Sequence, residues 1–192
     1  MTINATPGDA SADSYVTVEE FSAYCAARGI AYPSSPAATV ETWLRRGTAY
    51  LDNQYRDRWV GFRTNQEQSL AWPRIGSGGD HRWREPGETY IVYGVIDSDG
   101  FEIPTNVIPT QIKNAAIEAA LLAKAGVTLE PTLERGGAIK SISKGVGPLS
   151  KSVTYMDGAS SVDRYMAIEG YLRGLVKSNP GASSGNVKLV RA

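Results

Sequence analysis

A single cysteine, Cys25, and a single histidine, His81, stand among 192 residues. One thiol excludes an intrachain disulfide. One thiol and one imidazole cannot complete a structural zinc site. A Ser-His-Asp triad or a Cys-His dyad would have to use His81. That residue lies between Asp80 and Arg82 in a glycine-rich stretch, with no G-x-S-x-G motif to accompany it. His81 reads as an exposed loop residue and Cys25 as a buried, inert thiol. No enzyme activity, cofactor or metal is expected. No apolar run approaches the roughly 18 residues of a membrane span. The first residues lack the basic-then-apolar form of a signal peptide. The expectation is a soluble protein made in a cytoplasm.

Net charge is missing too: 20 basic side chains balance 20 acidic ones. A general nucleic-acid binder is usually more basic. The charge is nevertheless segregated along the chain. Residues 1–44 carry −4, 45–84 carry +4, 85–134 carry −6 and 135–192 carry +6. Such blocks suit a subunit that meets copies of itself, positive face to negative face. Folding that mixes the blocks on one surface explains them equally well. Hydrophobic residues at 42% and charged residues at 21% are ordinary for one globular domain.

Residues 1–14 are small and polar and read as a flexible segment. Thr17-Val18-Glu19-Glu20 has the form of a capping box and predicts a helix to about Arg28, ended by Gly29. A second helix is predicted over 37–55, with Val40, Trp43, Leu44, Gly47, Tyr50, Leu51 and Tyr55 on one stripe. Gly47, without a side chain, would let another helix come close. Tyr90 to Ile96 reads as a strand, Asp97-Ser98-Asp99-Gly100 as a turn, and Phe101-Glu102-Ile103 as the return strand. The Asp97-x-Asp99-Gly100 pattern departs from a calcium loop at the following positions, Phe101 and Glu102. Pro109 opens a third helix whose stripe is Ile112, Ala115, Ala116, Ala119, Leu122 and Ala123, and Gly126 closes it. Residues 138–144 and 149–155 predict a hairpin bearing Lys140, Lys144 and Lys151. Ser160 and Asp163 cap a fourth helix with Val162, Tyr165, Met166, Leu172, Leu175 and Val176 inward. The fold class expected is mainly α: a small bundle of about four helices with one or two β-hairpins.

One constellation carries binding chemistry. Arg56, Arg58, Arg63, Arg74, Arg82 and Arg84 are interleaved with Trp59, Phe62, Trp72 and Trp83. Aromatic rings stack on bases and guanidinium groups pair with phosphates, a composition that suits single-stranded nucleic acid. The favoured alternative places the Trp rings in the core, with the arginines stacked on them and paired to Asp52, Asp57 and Glu67.

The order Leu51-Asp52, Tyr55, Arg58, Gly61-Phe62-Arg63-Thr64, Gln68, Leu70, Trp72-Pro73-Arg74 resembles a family of small phage proteins. The likeness continues through Asp99-Gly100, Ile108-Pro109, the Ala-rich helix, Lys144-Gly145-Val146-Gly147-Pro148-Leu149, and Val153 and Tyr155. It covers about residues 15–176 and departs at 76–96, where this chain is longer. Members are often labelled DnaT-like single-stranded-DNA-binding proteins, are encoded among virion structural genes, and look like head-tail adaptors. The resemblance implies a virion neck protein: a ring, by resemblance a dodecamer, docked under the portal and joined to a tail or head-closure protein. Packaged double-stranded DNA would pass through it without sequence-specific contact. In this reading Gly61, Arg63, Trp72, Pro73 and Arg74 are structural, and Lys140, Lys144 and Lys151 are channel candidates. Residues 15–177 form the adaptor domain, with an inserted loop or hairpin at 76–104. Residues 178–192 form a tether whose tip, Val187, Lys188, Leu189, Val190 and Arg191, docks on the portal. The alternative is a single-stranded-DNA-binding replication accessory. The adaptor is the favoured reading because a neutral chain is awkward for a DNA binder and no fixed spacing demands bases. Any single-strand binding is then expected to be weaker than micromolar.

Overall fold

The structure, a computed structural model, describes residues 2–33, 36–76, 94–129, 139–144, 151–155 and 165–177. Four helices lie among them: α1 (Val18–Ala27), α2 (Ala37–Tyr55), α3 (Thr110–Lys124) and α4 (Met166–Tyr171). Three antiparallel two-stranded pairs accompany the helices: β1 (Phe62–Arg63) with β2 (Arg74–Ile75), β3 (Val95–Ile96) with β4 (Glu102–Ile103), and β5 (Ile139–Lys144) with β6 (Lys151–Tyr155). The fold is mainly helical.

Local chemistry sets the helix ends. Thr17 Oγ1 accepts from Glu20 N at 3.2 Å, and Glu20 Oε2 accepts from Thr17 N at 3.0 Å, completing the capping box that starts α1. At its other end Gly29 takes φ +64°, Gly29 N donates to Ala26 O, and Ile30 N donates to Cys25 O. This is a Schellman turn, which glycine enters without steric cost. The same pair of bonds, Gly126 N to Ala123 O and Val127 N to Leu122 O, closes α3.

The core sits between α2 and α3. Val40, Leu44, Tyr50 and Leu51 of α2 are buried, as are Ile112, Ala115, Ala116, Ala119, Ala120 and Ala123 of α3. A Cβ on Gly47 would stand 2.6 Å from Ala116 O and 2.8 Å from Ala120 N. The missing side chain therefore sets how closely the two helices approach. Leu122, predicted inward, is only partly buried.

Three expectations change. Residues 2–14, read as loose, are tied into the fold: Asp13 N donates to Asn4 O, Asn65 Nδ2 donates to Gly8 O, and the Asp13 carboxylate pairs with Arg45 at 2.5 Å. Their small polar side chains satisfy backbone groups, so polarity here marked a hydrogen-bonded loop. In α4, Met166 is 76% exposed and Ile168 is buried. Tyr165 is an extended N-cap whose side chain does not cap the helix. Ser160, Val162 and Asp163 lie outside the described residues. Of the strand predicted over 90–96 the described residues are 94–96: Val95 and Ile96 pair as expected with Ile103 and Glu102, and Gly94 bridges to Ile75. The Asp97 carboxylate accepts from Asp99 N and Phe101 N, both at 2.9 Å, and so closes the turn between these strands.

Charge blocks meet inside the chain. Arg45 pairs with Asp13, and Lys113 pairs with Glu20 at 2.5 Å. The first joins blocks of opposite sign and the second joins two acidic blocks, both without a second copy.

Candidate nucleic-acid interface

Two residues build the floor of the site. Asp52, on α2, is largely buried and occupies both oxygens: Oδ1 accepts from the Tyr15 hydroxyl, and Oδ2 accepts from Ala71 N at 2.9 Å. Trp72 N donates in turn to the Tyr15 hydroxyl at 3.3 Å. Burial pushes the Asp52 carboxyl above its ordinary 3.8, against the hydrogen bonds and the nearby Arg56 and Arg74 charges. Arg74, 8% exposed, points its fork at three backbone carbonyls. Nε donates to Val60 O at 2.7 Å, one terminal nitrogen to Ala71 O at 3.0 Å, and the other to Gly61 O at 2.6 Å. Burial also pushes the Arg74 guanidinium below its ordinary value. Gly61, at φ +67°, has no room for a Cβ, which would fall 2.1 Å from Ile75 O.

Behind this floor Trp59 and Trp72 meet edge to face, with ring centres 5.9 Å apart. Both are buried, and both indole N–H groups lack an acceptor among the described residues. An unpaired buried donor costs about 1–3 kcal/mol, so the apolar faces of these rings must outweigh it. Pro73 follows a cis Trp72–Pro73 bond. Gln68, buried beside it, donates from Nε2 to Leu70 O at 2.8 Å and to Pro73 O at 3.1 Å. Gly61, Trp72, Pro73 and Arg74 thus form a framework that fixes the 60–75 loop to α2.

Above the framework the arginines face water. A cavity of about 320 Å³ is walled by Asp52, Arg56, Arg63, Leu70, Ala71 and Arg74. Arg56 and Arg63 are exposed at its rim. A second recess, about 470 Å³, is lined by Tyr55, Arg58, Met166, Glu169, Arg173 and Lys177. The two are linked by residues 58–60, because Val60 N donates to Leu175 O and Lys177 N donates to Arg58 O. Arg58 stands over the Tyr55 ring at 5.4 Å. Next to Arg63, Phe62 is 59% exposed.

The structure therefore divides the predicted constellation. Trp59 and Trp72 are core residues, while Arg56, Arg58, Arg63 and Phe62 reach the surface. The arginine stacking seen among the described residues is on tyrosine, Arg58 on Tyr55 and Arg28 on Tyr24, and not on tryptophan. Trp83, Arg82 and Arg84 lie outside the described residues. Arg173 and Lys177 were missed, although their spacing of four in the basic last block could have drawn attention to them. Of the hairpin lysines, Lys144 pairs with Lys151 across β5 and β6, and Lys140 lies on β5. The tip Val187 to Arg191 is outside the described residues.

A family model described as "Putative DnaT-like ssDNA binding protein" matches residues 1–85 and 94–192. The chain belongs to this DnaT-like family. The match breaks at 86–93, inside the segment that departs from the resemblance. No curated protein and no solved structure gave a match. Membership in the DnaT-like family overturns the adaptor reading. The family's description is of single-stranded-DNA binding, and neither it nor the fold supports a virion neck ring, a portal or tail partner, or a channel for double-stranded DNA. The residues that carried the resemblance explain the error. Gly61, Trp72, Pro73 and Arg74 specify a folded loop, a property indifferent to whether the protein assembles into a ring. The roles given to the hairpin lysines and the C-terminal tip depended on that ring and lapse with it. Net neutrality was the wrong measure, because binding is decided by charge at the surface that meets the strand.

Proposed function

We propose that the protein binds single-stranded DNA without sequence preference, as a binding protein with no catalytic step. The observation that carries this reading is the DnaT-like family match over residues 1–85 and 94–192. The surface around the 60–75 loop supplies suitable chemistry. Arg56 and Arg63 border one recess and Arg58, Arg173 and Lys177 the other, giving five cations for phosphates. Phe62 offers an exposed ring on which a base can stack, a contact worth about 1–3 kcal/mol and tolerant of sequence. Affinity should lie in the non-specific class, about 1–100 µM at physiological salt.

The test is fluorescence anisotropy with labelled oligothymidylate and a matched duplex, using the full chain. Binding of the single strand should weaken about tenfold in Phe62→Ala and by a similar factor in Arg56→Gln, with the melting temperature unchanged. Equal affinity of wild type and both variants would reject this surface as the interface.

A further inference from the structure

We propose that the recess beneath Arg56 and Arg63 is a seat for a phosphate monoester, and that it holds the terminal phosphate of a DNA strand. The assignment to a strand end rests on the single-strand reading above; the affinity for a phosphate monoester does not.

Three observations lead there. The first is unused donor capacity. Among the described residues Arg56 has no hydrogen-bond or ion-pair partner, although its charge lies close enough to Asp52 to oppose in part the rise that burial causes in that carboxyl's pKa. Arg63 gives one N–H to Gln68 O at 2.8 Å and one to Gln66 O at 3.3 Å. A guanidinium has five N–H donors, so most of the fork remains open at the rim. The second is the charge balance. Asp52 is the one carboxylate that lines the recess among the described residues, and both its oxygens are engaged by Tyr15 and Ala71. Arg74 has its donors fixed on carbonyls, yet its charge stays in the floor. Three guanidinium groups therefore face one carboxylate that has no lone pairs directed at them by hydrogen bonds. The third is shape. At about 320 Å³ the recess is at the small end of ligand pockets, and its floor is closed by the Asp52–Tyr15–Trp72 network.

A phosphodiester inside a strand carries one charge and must continue on both sides. A terminal monoester carries about −1.5 to −2 charges at neutral pH and continues on one side only. A recess with a closed floor, one open side and a surplus of guanidinium charge selects the second. Forked pairing of Arg56 and Arg63 with its oxygens would supply the charge-assisted bonds that such a group takes. The strand would leave past Phe62.

The experiment compares three internally labelled oligothymidylates: one with a 5′-phosphate, one with a 3′-phosphate and one with hydroxyls at both ends. One phosphorylated strand should bind roughly tenfold tighter than the unphosphorylated one, the size of one added charge-assisted bond. Which end shows the gain identifies the polarity. Arg56→Gln, which removes no hydrogen bond found among the described residues, should abolish the gain and keep the melting temperature. In parallel, thymidine 5′- and 3′-monophosphates should raise the melting temperature of the wild type but not of Arg56→Gln, and thymidine should raise neither. If all three strands bind equally and neither monophosphate protects, the seat does not exist, while single-strand binding stands. If no strand binds but a monophosphate protects through Arg56, the seat stands and the strand reading fails.

Discussion

Trp72 and Arg74 lie two residues apart and do different work. Trp72 fills the core against Trp59, and Arg74 holds three carbonyls of the same loop. Trp72→Ala should cost about 3–5 kcal/mol, a large share of a domain's stability. Urea unfolding measures this, and an unchanged midpoint would contradict the packing. Asp52 makes a pH prediction. Burial raises its folded pKa above the unfolded value, so the folded state holds the proton more tightly. The stability this gives is complete below the unfolded pKa, near 3.8, and is lost as pH rises through the folded pKa. Midpoints measured upward from pH 4 should therefore fall in wild type relative to Asp52→Asn. Parallel curves would remove Asp52 as the source. At this scale the burial of Trp72 was legible, because a large apolar ring flanked by Leu70, Ala71 and Pro73 plugs the core that an irregular loop crosses. The partners of Arg74 were not, since backbone carbonyls leave no trace in a pattern of side chains.

Helices were legible where the signal is local. The Thr17–Glu20 capping box, the Gly29 and Gly126 terminators and the stripe of α2 each rest on contacts within a few residues. Gly47 was legible as a close approach, and it carries a prediction. Alanine normally favours a helix interior by about 1 kcal/mol over glycine. Here its Cβ would stand 2.6 Å from Ala116 O, so Gly47→Ala should instead destabilise by about 1–3 kcal/mol. Thermal unfolding decides the sign. The fourth helix was legible, and Leu172 and Leu175 after it are buried as expected, but Met166 was misread as inward, because fewer than two turns give periodicity little to act on. Its position depends on pairing by Trp59 and Val60 with residues 175 and 176, a contact more than 100 residues away in sequence.

Across the whole molecule, summed charge hid the arrangement that matters. Some of the segregated charge is neutralised inside the chain, as in Arg45–Asp13 and Lys113–Glu20. The five cations at the two recesses are brought together from the segment that follows α2, from β1 and from the segment after α4. No local pattern joins residues 56–63 to residues 173–177, so their meeting on neighbouring recesses could be found only in three dimensions. Among the described residues no helix is long and apolar enough to cross a membrane. The central claim is that these cations hold the phosphates of a single strand. Its most direct test is the affinity for unphosphorylated oligothymidylate measured over a salt series. Five contacts predict a slope of log K against log[salt] of about −3.5, reduced by about 0.7 in Arg56→Gln and again in Lys177→Gln. A slope near zero, or one that neither substitution alters, would contradict the account.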